Sequence, residues 1–156
     1  MSAHLPPPAL SLMGQVRCKV GPVVSLGPAP HGERRYVAIE GGRAEGPELA
    51  GDIVDGGVDW QIARPDGALD IAAHYVIRTA DGGLVEVQSH GLRHGPPEVL
   101  ARLARGEPVD PADYFFRTLM RFTTGHPAWL QLNKVMAIAS GRREARLVML
   151  DVWRIG

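Results

Sequence analysis

The sequence predicts an all-β, mainly antiparallel fold, a closed or nearly closed β-barrel of about 8–10 strands with one short helix. Three observations carry this. Short stretches such as Gly14–Val20 and Tyr114–Phe122 alternate apolar and polar residues with the period of a strand. Glycine turns punctuate them, and the 19 Gly and 13 Pro form no low-complexity tract. Only Pro96–Arg105 has helical character. A barrel is preferred to a sandwich because several strands are apolar on one face and mixed on the other, and because closure removes exposed edges. A barrel of this size can hold one small ligand.

Residues 1–11 read as a flexible leader and 12–156 as one barrel domain, the default for a chain of 156 residues. The leader lacks a basic segment, and Pro6-Pro7-Pro8 interrupts its apolar run, so no signal peptide is expected. Gly14–Val20 is the first strand, with Val16, Cys18 and Val20 on its apolar side. A thiol there is expected to pack rather than to attack. Pro22–Gly32 reads as loop, and Arg34–Glu40 as a strand ended by Gly41-Gly42. A short segment follows Gly46-Pro47. Val58–Ala63 is a strand with Val58, Trp60 and Ile62 on one face and Asp59, Gln61 and Ala63 on the other.

Asp70–Gly91 is the clearest element, a hairpin turning at Asp81-Gly82-Gly83. A three-residue loop pairs Thr79 with Val85, Ile77 with Val87 and Tyr75 with Ser89, leaving Arg78 opposite Glu86, Val76 opposite Gln88 and His74 opposite His90. This register separates apolar from polar and assigns the positive φ to Gly83. Pro96–Arg105 has prolines in its first turn, an early acid, late bases and Gly106 beyond its end. Its stripe of Val99, Leu100 and Leu103 suits docking on a barrel end. Tyr114–Phe122, Trp129–Ala139 and Arg146–Ile155 complete the set of strands, with Ser140–Arg143 as a turn.

Bulk properties exclude several function classes. Lys plus Arg equals Asp plus Glu at 17 each, so no electrostatic footprint for nucleic acid or an anionic membrane is expected. No apolar run approaches the roughly 18 residues of a membrane span. The single cysteine, Cys18, excludes an intrachain disulfide and suggests a reducing compartment, the cytoplasm. No phosphate-cradling glycine loop precedes a helix, and no nucleophile elbow occurs. Cofactors are expected to be absent.

Gly41-Gly42, Glu45-Gly46-Pro47, Gly56-Gly57-Val58-Asp59-Trp60, Gly95-Pro96-Pro97-Glu98-Val99-Leu100-Ala101, Tyr114-Phe115-Phe116-Arg117-Thr118 and Leu132-Asn133 together resemble domain-of-unknown-function family 3237, from about Gly14 onward. The resemblance implies a small β-barrel and carries no agreed substrate or reaction. The chain departs from the family pattern at Leu119, where a proline is usual, and at Trp129–Asn133. Were those positions to line a pocket, substrate preference would differ from that of relatives.

Asp59, after a glycine turn and before an indole, is the candidate catalytic group. In a partly dry cavity its pKa would rise and it could act as general acid or base. The alternative is a carboxylate that bonds turn backbone or an arginine. Trp60, Tyr75, Arg117, Trp129 and Asn133 are the candidate ligand-binding residues, with Arg117 suited to a carboxylate or phenolate. The alternative for Arg117 is a stem on the outer surface. His74, His90 and His94 fall short of a zinc pattern, and no metal site is expected. Arg142, Arg143 and Arg146 read as a solvated turn. The expected function is small-molecule binding with cofactor-free isomerisation, cyclisation or elimination on an aromatic or alicyclic metabolite. A non-catalytic carrier and a structural or interaction module are the alternatives. A homo-oligomer is expected by analogy with small barrels.

Overall fold

The structure is a computed structural model and describes residues 3–156. Nine strands occur among the described residues: β1 (Leu10–Ala29), β2 (Gly32–Glu45), β3 (Gly51–Ile53), β4 (Gly57–Ala63), β5 (Leu69–Arg78), β6 (Leu84–His94), β7 (Phe115–Thr123), β8 (Met136–Arg143) and β9 (Leu147–Ile155). All pairings are antiparallel. The ring runs β1-β9-β8-β7-β6-β5-β4-β2 and closes where β2 pairs with β1. Short β3 fills the gap between β2 and β5 at one end.

Alternation sets the interior. From β1 Val16, Cys18 and Val20 point inward, from β5 Ile71, Tyr75 and Ile77, from β7 Phe116, Met120 and Phe122. One end of the lumen is solid. Ile77, Val85, Val87, Met120, Phe122 and Val152 are almost fully buried there. A 3-10 segment, Pro127–Lys134, caps that floor with Leu132. At the other end helix α1 (Pro97–Ala104) lies beside the opening, burying Leu103 and packing Val99 and Leu100 on the core. Prolines in its first turn, Glu98 near its start and Gly106 at φ +76° after its end act as the sequence suggested. Among the described residues no helix is long and apolar enough to cross a membrane.

Three local expectations are corrected. The β5–β6 hairpin pairs Ile77 with Val85, Tyr75 with Val87 and His74 with Gln88, two residues away from the expected register. The faces survive, since a shift of two keeps each side chain on its side. The loop is longer because Thr79 caps it: its N–H donates to the Gly83 carbonyl, and its hydroxyl accepts from the Gly83 N–H at 2.8 Å. The positive φ falls on Gly82, at +85°, rather than on Gly83.

The second correction is β1, which starts at Leu10, inside the expected leader, and continues through the expected Pro22–Gly32 loop to Ala29. Beyond Lys19 it leaves β9 and pairs only with β2, which is itself paired with β4 there, so this part of β1 is an edge of the sheet. Both faces of β1 from Pro22 to Ala29 meet solvent, so no apolar period marks it, and Pro22 sits where the register shifts. Third, Trp129–Lys134 is 3-10 helix and not strand; β8 starts only at Met136. Pro127 favours that first turn, and the His126 ring accepts from the Ala128 N–H at 3.2 Å.

Gly42 marks the tightest strand approach at the closure. Its φ is +138°, and a Cβ there would stand 1.9 Å from the Arg17 carbonyl oxygen on β1. Gly42→Ala is expected to destabilise the barrel by about 2–4 kcal/mol, read as a lowered urea midpoint.

Candidate functional site

The lumen changes character from floor to mouth. Above the apolar floor lies a polar layer. Asp59 on β4 faces inward, as the alternation with Trp60 demands. Beside it stand Tyr75 of β5, Ser89 of β6 and Thr118 of β7 around a small void of about 40 Å³. Asp59 Oδ2 accepts from Gln61 Nε2 at 2.7 Å, and Gln61 Oε1 accepts from Arg35 Nε at 2.9 Å. A single relay thus links the carboxylate to the mouth. Asp59 Oδ1, Tyr75 Oη and Thr118 Oγ1 are buried without an oxygen or nitrogen hydrogen-bond partner, the Tyr75 hydroxyl having only the weakly bonding Cys18 thiol beside it. Buried polar atoms are seldom left unpaired, and here all three border one void.

Five arginines line the mouth, of which Arg64 is ion-paired with Asp66 and Asp70 and Arg105 with Glu107. Arg35 (β2), Arg93 (β6) and Arg143 (β8) line a cleft of about 550 Å³ with apolar walls from Ala63, Leu69 and the Leu100 and Leu103 face of α1. Gln61, Arg93 and Arg143 line both cleft and void. Arg143 is held by its backbone, whose N–H donates to Tyr114 Oη at 3.0 Å. Arg93 rests on the Phe116 ring, 5.7 Å from its centroid. That ring in turn lies against Gly141, where a Cβ would come within 2.7 Å of it.

Burial raises the Asp59 pKa; the Gln61 hydrogen bond and the charges of Arg93 and Arg143 oppose the rise without cancelling it. Burial also lifts the Tyr75 hydroxyl well above its ordinary range and pushes the Cys18 thiol up to about 12. Cys18 is therefore a packed, protonated thiol, and Tyr75 keeps its proton throughout the physiological range. Burial, with Arg143 and Arg35 nearby, pulls Arg93 down to about 10, so it is still a cation at neutral pH.

The six sequence candidates do not assemble into one site. Asp59 and Tyr75 share the void. Trp60 lies outside the barrel, its ring 5.3 Å from that of Tyr36 and beneath the Arg34 guanidinium at 4.8 Å. Adjacent strand residues cannot both face the lumen, so Asp59 and Trp60 exclude each other. Arg117 is also outside, donating to the Phe116 carbonyl at 2.9 Å and lying over Phe115. Its neighbours Phe116 and Thr118 take the inward positions.

Trp129 and Asn133 belong to the floor. Trp129 Nε1 donates to the Asp81 carboxylate at 3.2 Å, bolting the 3-10 segment to the β5–β6 turn. Asn133 closes a bracket on Thr124, accepting from its N–H and donating to its carbonyl, both at 2.8 Å. The family departures at Leu119 and at Trp129–Asn133 thus lie on the outer face and at the floor, away from the cleft. His74 Nε2 lies 2.7 Å from Glu86 Oε2 on the outside, and His94 stacks on Phe115. Among the described residues no group of three or more His, Cys, Asp or Glu could hold a metal.

Arg35, Arg93 and Arg143 were missed, and Arg143 had been read as part of a solvated turn. Parity would have found them: Ile39 and Val37 lead to Arg35, Ser89 and Gly91 to Arg93, Ala139 and Gly141 to Arg143.

Two predictions follow from these environments. Asn133→Ala, which strands the Thr124 backbone groups, is expected to cost about 1–3 kcal/mol in urea unfolding. Asp59 behaves oppositely. Its folded carboxyl holds its proton to higher pH than the unfolded one, so its stabilising contribution is complete below an ordinary pKa of about 4 and is lost as pH rises through the raised folded value. Asp59→Asn removes that loss. The variant is expected to match or exceed the wild-type urea midpoint at pH 7, and the difference between them is expected to shrink on acidification.

Comparison with known proteins agrees with this architecture. A curated UPF0311 protein of Rhodopseudomonas palustris is 39% identical over 140 residues, covering 90% of this chain and 92% of that one. The crystal structure of the conserved protein of unknown function from that organism superposes with a TM-score of 0.93 at 37% identity, over 97% of this chain and all of that one (100%). A "beta-barrel like protein" from Acinetobacter baumannii AYE gives 0.85 at 36% identity, with 99% and 100% of the chains covered. A structure described as an enzyme from Penicillium herquei gives 0.75 at 20% identity over 100% of both chains, a likeness of fold alone. The family model described as "Protein of unknown function (DUF3237)" matches residues 8–155, and the chain belongs to that family.

Proposed function

We propose that the protein binds a small aromatic or alicyclic metabolite at the barrel mouth and catalyses cofactor-independent proton transfer on it, with Asp59 as general acid/base. The observation that carries this reading is the convergence of three buried polar atoms without an oxygen or nitrogen partner, Asp59 Oδ1, Tyr75 Oη and Thr118 Oγ1, on one void beside an open cleft. The void is too small for a ligand's body, whereas the cleft lies within the usual range for small-molecule sites. The ligand's frame therefore rests between α1 and the arginines, and one small group reaches inward.

The chemistry follows from the proton inventory. Asp59 ionises at a raised pKa, so its carboxylate is a stronger base than an exposed aspartate. It takes a proton from a carbon next to a carbonyl, and the electron pair moves onto the carbonyl oxygen. The Tyr75 and Thr118 hydroxyls donate to that developing oxyanion, in a dry layer where such hydrogen bonds count most. Return of the proton to a different atom gives isomerisation; loss of a leaving group from the adjoining carbon, which takes the proton from Asp59, gives elimination; attack of the enolate carbon on a second carbonyl of the same molecule, whose oxygen takes the proton back from Asp59, gives cyclisation. The similar fold described as an enzyme from Penicillium herquei is compatible with this.

Incubating the protein in D2O with a panel of small alicyclic and aromatic ketones and keto acids tests the reading by NMR. The wild type is expected to catalyse deuterium incorporation next to the carbonyl, rising with pH through the Asp59 pKa. Asp59→Asn is expected to lose about 10²- to 10⁴-fold in rate. Binding that is equal in both proteins, without exchange in either, would make the barrel a carrier.

A further inference from the structure

We infer that the barrel mouth is a subsite for the carboxylate of an organic acid, held by the guanidinium groups of Arg93 and Arg143. This deepens the ligand reading above and rests on it for the position of the ligand's frame.

The first argument is an unmatched cation. Arg93 projects inward from β6, opposite Phe116 of β7 and beneath the α1 side of the cleft. Among the described residues its guanidinium has no hydrogen-bond or ion-pair acceptor; it has only the Phe116 ring beside it. A guanidinium carries five N–H donors and keeps its charge at neutral pH; half-buried in the cleft wall without a protein acceptor, Arg93 leaves those donors to water or to an anion. The natural complement is an anion that arrives from solution.

The second argument is local charge. Arg35 is committed to Gln61 at 2.9 Å and to Glu33 at 3.6 Å. Arg143 spends one N–H on the Ala145 carbonyl at 3.3 Å. Asp59, the carboxylate nearest to Arg93 and Arg143 in the lumen, forms an ion pair with neither; its one bonded oxygen goes to Gln61. Burial favours its neutral form, which weakens it further as a counter-ion. Two inward guanidinium groups therefore face the same space with donors to spare.

The third argument separates carboxylate from phosphate. Phosphate sites commonly add backbone N–H groups from a helix start or a glycine loop. Here α1 lines the cleft with Leu100 and with its C-terminal end, Leu103 to Gly106, so the negative pole of the helix and not its start lies at the site. That pole opposes a dianion. Two forked guanidinium groups instead match a planar, singly charged carboxylate. Apolar Ala63, Leu69 and Leu100 suit the hydrocarbon frame beyond it. Because Arg93 and Arg143 also border the void, the atoms that reach Asp59 are those near the ligand's carboxylate.

Calorimetric titration with benzoate and cyclohexanecarboxylate, against benzamide, cyclohexanecarboxamide and inorganic phosphate, tests this. The carboxylates are expected to bind more tightly than either the amides or phosphate. Arg93→Gln is expected to weaken carboxylate binding roughly ten- to hundredfold, with Arg143→Gln also weaker than wild type. Arg117→Gln, on the outer face, is expected to leave binding unchanged. The circular dichroism spectrum and urea midpoint of each variant report that it is folded. Equal binding of acid and amide, phosphate binding as tightly as carboxylate, or wild-type affinity in folded Arg93→Gln would overturn the assignment. Asp59→Asn separates the two readings: it is expected to bind carboxylates at least as tightly as the wild type. If it does so and still exchanges deuterium at the wild-type rate, proton transfer by Asp59 fails and the carboxylate subsite stands.

Discussion

The pairing of β1 with β2 is the constraint on which the molecule depends. Without it the chain would be a twisted open sheet with two unprotected edges. With it, each strand residue belongs either to the lumen or to the outer surface, with nothing between. Gly42 permits the contact by leaving room for the Arg17 carbonyl. Closure therefore decides the chemistry as well as the shape. It sends Asp59 inside and Trp60 outside, Phe116 inside and Arg117 outside. No rearrangement of side chains can reverse such an assignment, because reversal requires a slip of the whole strand by one residue.

The two ends of the lumen solve different problems. The floor is apolar and locked by specific polar fasteners: Thr79 and Trp129 on Asp81, and Asn133 on Thr124. These satisfy backbone and ring donors where the chain leaves the sheet. The mouth does the opposite and leaves polar groups unsatisfied. Asp59 Oδ1, Tyr75 Oη, Thr118 Oγ1 and the Arg93 guanidinium lack intramolecular oxygen or nitrogen partners within one connected region. Each would weaken a fold whose only task was to persist. Their concentration in one place, on a barrel otherwise well packed, is what the proposed site rests on.

Much of this was legible in the sequence, and the failures have definite causes. Strand alternation and glycine turns led to the barrel, and Asp59 was chosen from its place after a turn and beside an indole. The error lies in letting Asp59, Trp60 and Arg117 share a pocket although alternation already forbids Asp59 and Trp60 to face the same side. Trp129 and Asn133 misled because an apolar-polar rhythm after Pro127 mimics a strand, whereas the proline and the His126 cap start a 3-10 helix. The stretch of β1 from Pro22 to Ala29 is hidden for the reverse reason: with solvent on both its faces it has no hydrophobic period to detect. The three arginines escaped because each sits at a strand end, where charged residues ordinarily meet water. Only the extension of parity to those ends, together with the position of α1, places them inside.

Gly141, Phe116 and Arg93 occupy neighbouring strands and lie one against the next. The absent side chain at 141 lets the aromatic ring settle low, and the ring sets the height at which the guanidinium rides. The depth of the opening is thus governed from a position that no ligand would touch. Homologous chains could lengthen or shorten the reach of this cation by changing what lies behind the ring, retuning which molecules are accepted while every contacting residue stays the same.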